Sequence, residues 1–229
     1  MAALSVIIPL APDETELQHL LDDLAGLPAG SQIILVASEN AKKLDQNIIL
    51  TDKIIEILYC KSGRAAQMNA GAQIAANPYL WFLHADSKFS DGTIPALLRA
   101  INDPPPAGLS YFDLAFLKDG SRLMFMNGFG VYMRCRLFKT PFGDQGFLIK
   151  KDIFQQLGGY PEEVTYGEDH VFVWRVRQAG FAVTPIGGVL YTSARKYKKH
   201  GWLKITLLHQ YLWIKQAWPE WKTLRKGKK

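Results

Sequence analysis

The segment Tyr79-Leu-Trp-Phe-Leu-His-Ala-Asp-Ser87 decides how the rest of this chain is interpreted. Five apolar residues run into His84 and Asp86, and such a run is typical of a strand that is buried on both faces of a parallel sheet. In open α/β sheets, ligands bind just beyond the carboxyl ends of these strands. Because side chains alternate along a strand, His84 and Asp86 would point the same way and could hold a divalent cation there. The same residues also fit a simple junction in which Asp86 caps a helix that begins near Asp91.

Strands and helices alternate along the first half of the chain. Apolar, β-branched runs predict strands over 4–10, 32–37 and 53–60, and amphipathic or alanine-rich stretches predict helices over 13–27, 65–76 and 91–102. Because this alternation is typical of βαβ units, we predict an α/β fold with a mostly parallel central sheet and helices on both faces.

The proline-rich segment 103–108 interrupts the alternation. After it, the pattern predicts strands over 109–117, 147–149 and 181–186, and helices over 121–138, 152–157, 167–179 and 201–218. We therefore expect one domain over 1–199, with halves at 1–103 and 109–199, followed by a C-terminal helical extension and basic tail over 200–229.

The composition is that of an ordinary globular protein, with 48% hydrophobic and 21% charged residues. Two cysteines that lie far apart in the sequence, Cys60 and Cys135, are typical of a reducing compartment. The first residues lack the pattern of a signal sequence, and no run of about 18 uncharged apolar residues occurs. These features predict a cytoplasmic location.

The positive charge is concentrated at the C-terminal end. Residues 195–229 carry 11 Lys/Arg and one acid, Glu220, giving +10, whereas the other residues carry 16 Lys/Arg and 20 acids, giving −4. Three interpretations stay open. Residues 195–200 could close as a cationic lid over ligand phosphates. The helix over 201–218 could lie on the inner face of an anionic membrane, which would suit a lipid-linked acceptor, or it could pack on the domain beside a solvated tail. No nucleic-acid partner is expected, because the basic residues match no nucleic-acid-binding module.

Five separated motifs follow one another along the chain. They are Val6-Ile-Ile-Pro-Leu10 with Asp13-Glu14, Gly63-Arg-Ala-Ala-Gln-Met-Asn-Ala-Gly71, His84-Ala-Asp86, Gly143-Asp-Gln145 and Gly167-Glu-Asp169. In this order the chain resembles the family 2 glycosyltransferases, whose GT-A fold is a Rossmann-like α/β domain. The resemblance is greatest to a small bacterial subgroup with a Gly-Arg-Ala-x-Gln-Met-Asn-x-Gly signature and a Thr-Ser-Ala-Arg stretch, matched here by Thr192-Ser-Ala-Arg195. It spans essentially the whole chain.

The resemblance implies an enzyme that moves a sugar from a nucleotide-activated donor to an acceptor hydroxyl, usually with inversion and with Mg²⁺ or Mn²⁺. Asp86 takes the position of the second aspartate of the family's Asp-x-Asp motif and is assigned to the metal. His84 replaces the first aspartate. Since histidine ligates Mn²⁺ but suits Mg²⁺ poorly, His84 either favours manganese as a metal ligand or contacts the donor ribose instead.

Inverting transfer also needs a base that takes the proton of the acceptor hydroxyl. By resemblance Asp169 is that base, with Glu168 beside it in the catalytic group, although two acids at a helix start also fit plain capping. The resemblance further assigns nucleotide-sugar binding to Pro9, Glu14, Arg64, Gln67, Asn69, Ala85 and Asp86. It assigns the acceptor or sugar side to Asp144, Gln145 and Arg195.

One departure from the family pattern concerns the donor. Family members usually carry a base-contacting aspartate after the second strand, and Ala37 stands at that position. A UDP- or GDP-linked donor is therefore expected without a choice between them, and a non-catalytic homologue that binds a nucleotide sugar or a membrane surface stays an alternative. A sugar-phosphate nucleotidyltransferase is disfavoured, because 9–13 lacks a glycine-rich basic loop. The enzyme hypothesis requires Asp86 and Asp169 to open into one hollow.

Overall fold

The computed structural model describes residues 4–12, 17–41, 53–102, 107–164 and 166–226. The strands are β1 (Leu4–Pro9), β2 (Gln32–Ser38), β3 (Ile54–Cys60), β4 (Tyr79–Phe82), β5 (Lys88–Phe89), β6 (Gly108–Phe116), β7 (Phe147–Lys150) and β8 (Ala182–Thr192). The helices are α1 (Leu17–Leu24), α2 (Arg64–Ile74), α3 (Thr93–Asn102), α4 (Met124–Phe138), α5 (Lys151–Gln156), α6 (Glu168–Gln178), α7 (Arg195–His200) and α8 (Trp202–Lys226). A short 3₁₀ turn covers Gly143–Gln145.

The eight strands of the described residues form one sheet in the order β3-β2-β1-β4-β7-β6-β8-β5. The first four strands in this order pair in parallel, as do β6 and β8. Antiparallel pairing joins β7 to both β4 and β6, and β5 to β8. The predicted α/β class, a central sheet flanked by helices, is confirmed, and the described strands add an antiparallel junction at β7.

The central strand β4 is buried on both faces, as its sequence predicts. All four residues from Tyr79 to Phe82 are buried, because helices cover the sheet on either side. The neighbouring strand β1 shows the alternation: Val6 and Ile8 belong to the core under α1 and α3, whereas Ile7 belongs to the core under α2, α5 and α6. The apolar run of β4 therefore specifies a three-layer arrangement.

The second half of the chain departs from the predicted boundaries at β8. Its sequence predicts a strand that ends at residue 186, yet the strand continues to Thr192. Gly187 and Gly188 both have a φ of +82°, and the register against β6 shifts between Tyr111 and Asp113. The two glycines thus form an irregularity within one strand, where the sequence suggested its end.

The structure also contains elements that the sequence did not predict. The short strand β5 pairs with β8, and residues 195–200 form the helix α7. The last helix, α8, extends to Lys226 with Pro219 inside it, eight residues beyond its predicted end. Among the described residues, no helix combines the length and the hydrophobicity that crossing a bilayer requires.

The expected division of the chain stays a prediction. Residues 103–106 of the expected boundary lie outside the described residues. On either side of them, the two halves contribute strands to the same sheet, and β5 from the first half pairs with β8 from the second.

Close packing of α2 on the sheet depends on a glycine. A Cβ atom added to Gly71 would lie 2.6 Å from Ile7 Cγ2 and 3.0 Å from Val36 Cγ2. We therefore expect Gly71→Ala to lower the free energy of unfolding by about 1–3 kcal/mol, since α2 would have to move off the sheet. Denaturant unfolding followed by circular dichroism measures the change.

Gly128→Ala is the matched control. Gly128 also lies inside a helix, α4, but a Cβ atom there would meet nothing within 4 Å. We expect this change to raise the unfolding free energy by roughly 0.5–1 kcal/mol, as alanine favours the helix. Equal effects of the two substitutions would contradict this account of the packing.

Candidate active site

A cavity of about 310 Å³ lies beyond the carboxyl end of β4. Its wall comes from six parts of the chain: the start of α2, the segment after β4, the end of β6, α4 with the turn that follows it, the start of α6, and the end of β8 with α7 and α8. The charged and polar side chains that line it include Arg64, His84, Asp86, Asn127, Arg134, Asp144, Asp169, His170, Lys196, Thr206, His209, Trp213 and Gln216. Asp86 and Asp169 therefore open into one hollow, as the enzyme hypothesis requires.

The starts of α2 and α6 are joined by an ion pair. Arg64 Nε donates a hydrogen bond to Glu168 Oε1, and the Glu168 side chain is 8% exposed. Burial alone would lower the pKa of Arg64, but the carboxylates of Asp169 and Glu168 raise it above its ordinary value. The pair holds the Arg64 guanidinium, which stays positively charged, at the cavity wall next to the predicted base.

The carboxylate of Asp169 is oriented by two backbone amides. Gly143 N donates to Oδ2 at 2.5 Å, and His170 N donates to Oδ1 at 2.8 Å. A Cβ atom on Gly143 would lie 2.9 Å from Asp169 Oδ2 and 3.3 Å from His84 Nε2. The glycine of the Gly143-Asp-Gln145 motif thus allows the turn to approach both side chains.

His84 meets an arginine across the cavity wall. Its Nε2 lies 3.4 Å from Arg64 Nη1. Burial, Arg64 and Lys196 lower the pKa of His84 to about 3 against an opposing effect of Asp169, so the ring is neutral at neutral pH. A cation on Nε2 would sit beside the Arg64 guanidinium, and the two positive charges would repel.

The donor set around Asp86 allows a cation of a particular kind. Across the described ranges, no group of three or more His, Cys, Asp or Glu side chains comes together that could hold a metal ion. Mg²⁺ is often bound through one or two carboxylates, with substrate phosphates and waters supplying its other ligands. The Asp86 carboxylate fits that use, whereas His84 fits it poorly because its Nε2 is already in contact with Arg64 Nη1.

Three polar atoms of the cavity-lining residues are buried without a hydrogen-bond partner in the part of the chain that the structure describes. They are Asp144 Oδ1, Arg134 Nη2 and Trp213 Nε1. Burial, with a smaller effect of Asp169, raises the pKa of Asp144 to about 6 against the opposing effects of Arg134, Lys196 and Arg64. Buried polar groups normally have hydrogen-bond partners. The acceptor atom of Asp144 and the donor atoms of Arg134 and Trp213 therefore indicate where a polar ligand binds.

The helix α8 closes the cavity and is bound to the start of α6 through Gln216. Trp174 Nε1 donates to His170 Nε2 at 2.9 Å, which leaves the proton on Nδ1, 3.3 Å from Gln216 Oε1. Gln216 Nε2 in turn donates to the Tyr166 carbonyl at 2.6 Å. Burial lowers the pKa of His170 to about 4, so this contact uses a neutral ring.

Several residues of the predicted site serve the fold instead of lining the cavity. Gln67 is buried and donates to the carbonyl groups of Leu10 and Val36, at the ends of β1 and β2. Asn69 pairs with the backbone of Tyr160 through both of its amide atoms.

Gln145 and the small apolar residues behave similarly. Gln145 donates to the Phe112 carbonyl and accepts from Phe142 N, which shapes its own turn. Pro9 and Ala85 are buried in the strand β1 and after β4. Glu14 lies outside the described residues.

After β8, the residue that lines the cavity is Lys196, the neighbour of the predicted residue Arg195. Arg195 does not line it; its Nε donates to Ser193 Oγ at 2.9 Å, and Asp119 lies 4.0 Å away. Lys196 lines the cavity instead. The Thr192-Ser-Ala-Arg195 motif was the available sequence signal, but which of two adjacent cations faces inward depends on the first turn of α7.

Sequence reasoning missed the contributions of α4 and α8. Arg134 is buried, its Nε donates to the Thr140 carbonyl, and its guanidinium lies 3.7 Å from the centre of the Phe142 ring. Trp213 and Gln216 come from a helix that the sequence placed outside the domain. No local signal distinguished these residues, because they reach the cavity through the packing of α4 and α8.

Solved structures of similar fold were found at low sequence identity. The match to the crystal structure of S. aureus TarS 1–349 has a TM-score of 0.63 and 14% identity, and covers 84% of this chain and 60% of that one. TarS 1–349 in complex with UDP-GlcNAc gives 0.63 and 15%, with 84% and 58% covered. The mannosyltransferase PcManGT from Pyrobaculum calidifontis, in complex with GDP-Man and Mn²⁺, gives 0.60 and 17%, with 81% and 56% covered.

These matches confirm the predicted GT-A fold and, at this identity, show the fold alone. The chain spans between 56% and 60% of the length of these structures. No curated protein matches the chain. The family model described as glycosyl transferase family 2 matches residues 5–158, which is more than half of the chain. By this match, the chain belongs to glycosyl transferase family 2.

Proposed function

We propose that this chain transfers a sugar from a nucleotide-sugar donor to an acceptor hydroxyl in one inverting displacement. The observation that carries the proposal is the shared cavity of about 310 Å³, which Asp86 and Asp169 both line. Family membership supports a glycosyltransferase. The complexes of TarS with UDP-GlcNAc and of PcManGT with GDP-Man support a donor linked to UDP or GDP.

The donor diphosphate binds to the cations of the cavity wall. Arg64, Arg134 and Lys196 line the cavity from three different helices. Arg134 Nη2 is buried and lacks a hydrogen-bond partner within the described ranges, and a phosphate oxygen would supply one. Because the departing nucleoside diphosphate gains negative charge, these fixed cations stabilise the transition state more than the ground state.

Asp86, together with donor phosphate oxygens, would hold a divalent cation, Mg²⁺ or Mn²⁺. When bound, it supplies further positive charge to the leaving group. The Mn²⁺ in the PcManGT complex supports such an ion. His84 is left out of this ligand set, because its Nε2 faces Arg64, and contact with the donor is proposed for it instead.

Asp169 acts as the general base. The acceptor oxygen forms a bond to the anomeric carbon as the bond from that carbon to the diphosphate oxygen breaks, and the leaving group keeps the electron pair. The acceptor proton passes to Asp169, whose two oxygens are aimed by Gly143 N and His170 N. Attack from the face opposite the leaving group inverts the anomeric centre.

Glu168 and Asp144 have supporting roles. Glu168 is a positioning residue, since its carboxylate holds the Arg64 guanidinium at the wall. Asp144 Oδ1 accepts a hydrogen bond from a hydroxyl of the bound sugar or acceptor, which satisfies an atom that is otherwise buried without a partner among the described residues.

Asp169→Asn tests the base. We expect transfer to fall by roughly 10²- to 10⁴-fold, because the amide cannot take the acceptor proton. Nucleoside diphosphate release from UDP- and GDP-sugars measures turnover, and calorimetry with UDP or GDP should show unchanged binding.

Asp152→Asn is the matched control for the base. Asp152 also begins a helix, α5, and bonds to the next backbone amide, Ile153 N, but it does not line the cavity. Its substitution should leave turnover intact. Full turnover in Asp169→Asn would remove the assignment, and nucleotide binding without turnover in the unmodified protein would favour the non-catalytic alternative.

Asp86→Ala tests the metal ligand. In the presence of Mn²⁺, the affinity for UDP or GDP should fall by at least about tenfold, since the ion loses its protein carboxylate. With a chelator present, the unmodified protein and the variant should bind the nucleotide alike. Asp91→Ala, in the exposed turn that follows β5, should keep the full Mn²⁺ effect. An undiminished Mn²⁺ effect in Asp86→Ala would exclude Asp86 as the anchor.

We expect Asp144→Asn to lower the transfer activity and to raise the free energy of unfolding. Between pH 3.8 and about 6 the buried carboxyl stays protonated in the folded state and is ionised in the unfolded state, so stability falls as pH rises through this window. The gain in unfolding free energy from Asp144→Asn should therefore be larger at pH 8 than at pH 4, by on the order of 3 kcal/mol.

Urea unfolding in metal-free buffer at the two pH values measures this difference. Asp91→Asn on the exposed surface is the control. A gain that is the same at both pH values would show that Asp144 is not held in a charge-opposing environment.

A further inference from the structure

The outward face of α8 carries a continuous apolar stripe. Its members recur every three or four residues and are each more than a third exposed: Leu203, Leu207, Tyr211, Ile214, Trp218 and Trp221. The cavity-lining residues of α8, such as His209 and Gln216, lie on the opposite side of the helix. This helix therefore lines the cavity with one side, through polar residues and through Leu212 and Trp213, and leaves an apolar stripe exposed on the other side.

The helix α4 runs beside α8 and exposes a second apolar face. Asn127 bonds to both Trp202 and Thr206, and the Phe138 and Trp213 rings lie 5.8 Å apart, so the two helices run in the same direction. The exposed apolar side chains of α4 include Phe125, at 72%, Met126, Phe129, Tyr132 and Leu137.

The cavity-lining residues of α4, among them Val131 and Arg134, lie on the other side of that helix. The apolar faces of α4 and α8 thus both point away from the cavity. We call them together the outer face.

Basic side chains border the outer face. Lys204, Lys215 and Lys222 are exposed along one side of the α8 stripe. Lys222 Nζ lies 5.0 Å from the centre of the Trp218 ring, and the Arg225 guanidinium lies 4.7 Å from that of Trp221. Exposed tryptophans beside lysine and arginine are characteristic of helices at a membrane–water interface.

We propose that the outer face docks on an anionic phospholipid bilayer, with α4 and α8 lying in the plane of its surface. A patch of this extent on a water-soluble surface calls for a partner. The charge of the segment 195–229, which is +10, favours one kind of partner. A second copy of this chain would bring two positively charged segments together, whereas anionic headgroups attract the segment. The proposal does not depend on the transfer reaction proposed above.

Vesicle co-sedimentation of the full chain tests this docking. We expect the protein to sediment with vesicles of phosphatidylcholine and phosphatidylglycerol and much less with phosphatidylcholine alone, with binding that weakens as salt is raised. The double variant Leu207→Asp/Trp218→Asp should bind at least about tenfold more weakly, because two apolar anchors are lost. Ile74→Asp, at an exposed apolar position on α2, should bind like the unmodified protein.

A second double variant, Lys204→Glu/Lys215→Glu, removes charge without touching the stripe and should also weaken binding to the anionic vesicles. It decides the question if the aspartate variant fails to fold. Absence of sedimentation with anionic vesicles, or equal sedimentation of the unmodified protein and both variants, would overturn the proposal. A dimer in analytical ultracentrifugation that Leu207→Asp/Trp218→Asp dissociates would overturn it in favour of a second copy. Nucleotide-sugar turnover is assayed separately, without vesicles, so that a failure of the docking proposal is distinguished from a failure of the proposed transfer reaction.

Discussion

The ion pair between Arg64 and Glu168 is the interaction on which the site depends. It joins the start of α2, in the first half of the chain, to the start of α6, in the second. Because Glu168 is almost fully buried, loss of either partner would leave an unpaired charge at the wall. The adjacent Asp169 is thereby held near the turn at Gly143, while Arg64 also meets His84. Together, these three contacts set the relative positions of four of the five motifs.

The charges of the cavity explain why it suits a diphosphate ligand. Arg64, Arg134 and Lys196 face the same hollow as Asp86, Asp144 and Asp169. The raised pKa of Asp144 and the lowered pKa of His84 both follow from burial, with neighbouring charges modifying them. Perturbed titrations of this kind cluster where polar ligands bind, and here they coincide with donors and an acceptor that lack partners among the described residues.

The two faces of α8 connect the site to the protein surface. Its inner face completes the cavity through residues such as Gln216, and its outer face forms the apolar stripe. Three interpretations were open for the basic C-terminal segment. The described part of α8 packs on the domain. Lys196 of α7 lines the cavity. Packing and membrane contact are therefore compatible in this structure, since they use opposite sides of one helix.

The sequence by itself determined the layers of the fold. The apolar run at Tyr79–Phe82 and the β-branched run at 4–9 can be buried on both faces only inside a sheet covered by helices, and both strands lie there. The resemblance of its motifs to those of family 2 glycosyltransferases also singled out Asp86, Asp169 and Arg64, and all three line the cavity. Gln67 and Asn69 matched the same motif, yet their amides bind backbone groups.

Only the tertiary structure decided which polar residues face the ligand and which hold the chain together, since either use satisfies the same hydrogen-bonding groups. It likewise decided that Arg134, Trp213 and Gln216 reach the cavity, because long-range packing of α4 and α8 leaves no periodic signal in the sequence. The strand β8 shows the same limit. The local sequence at Gly187 and Gly188 predicts the end of a strand, but pairing with β6 continues the strand beyond these two glycines.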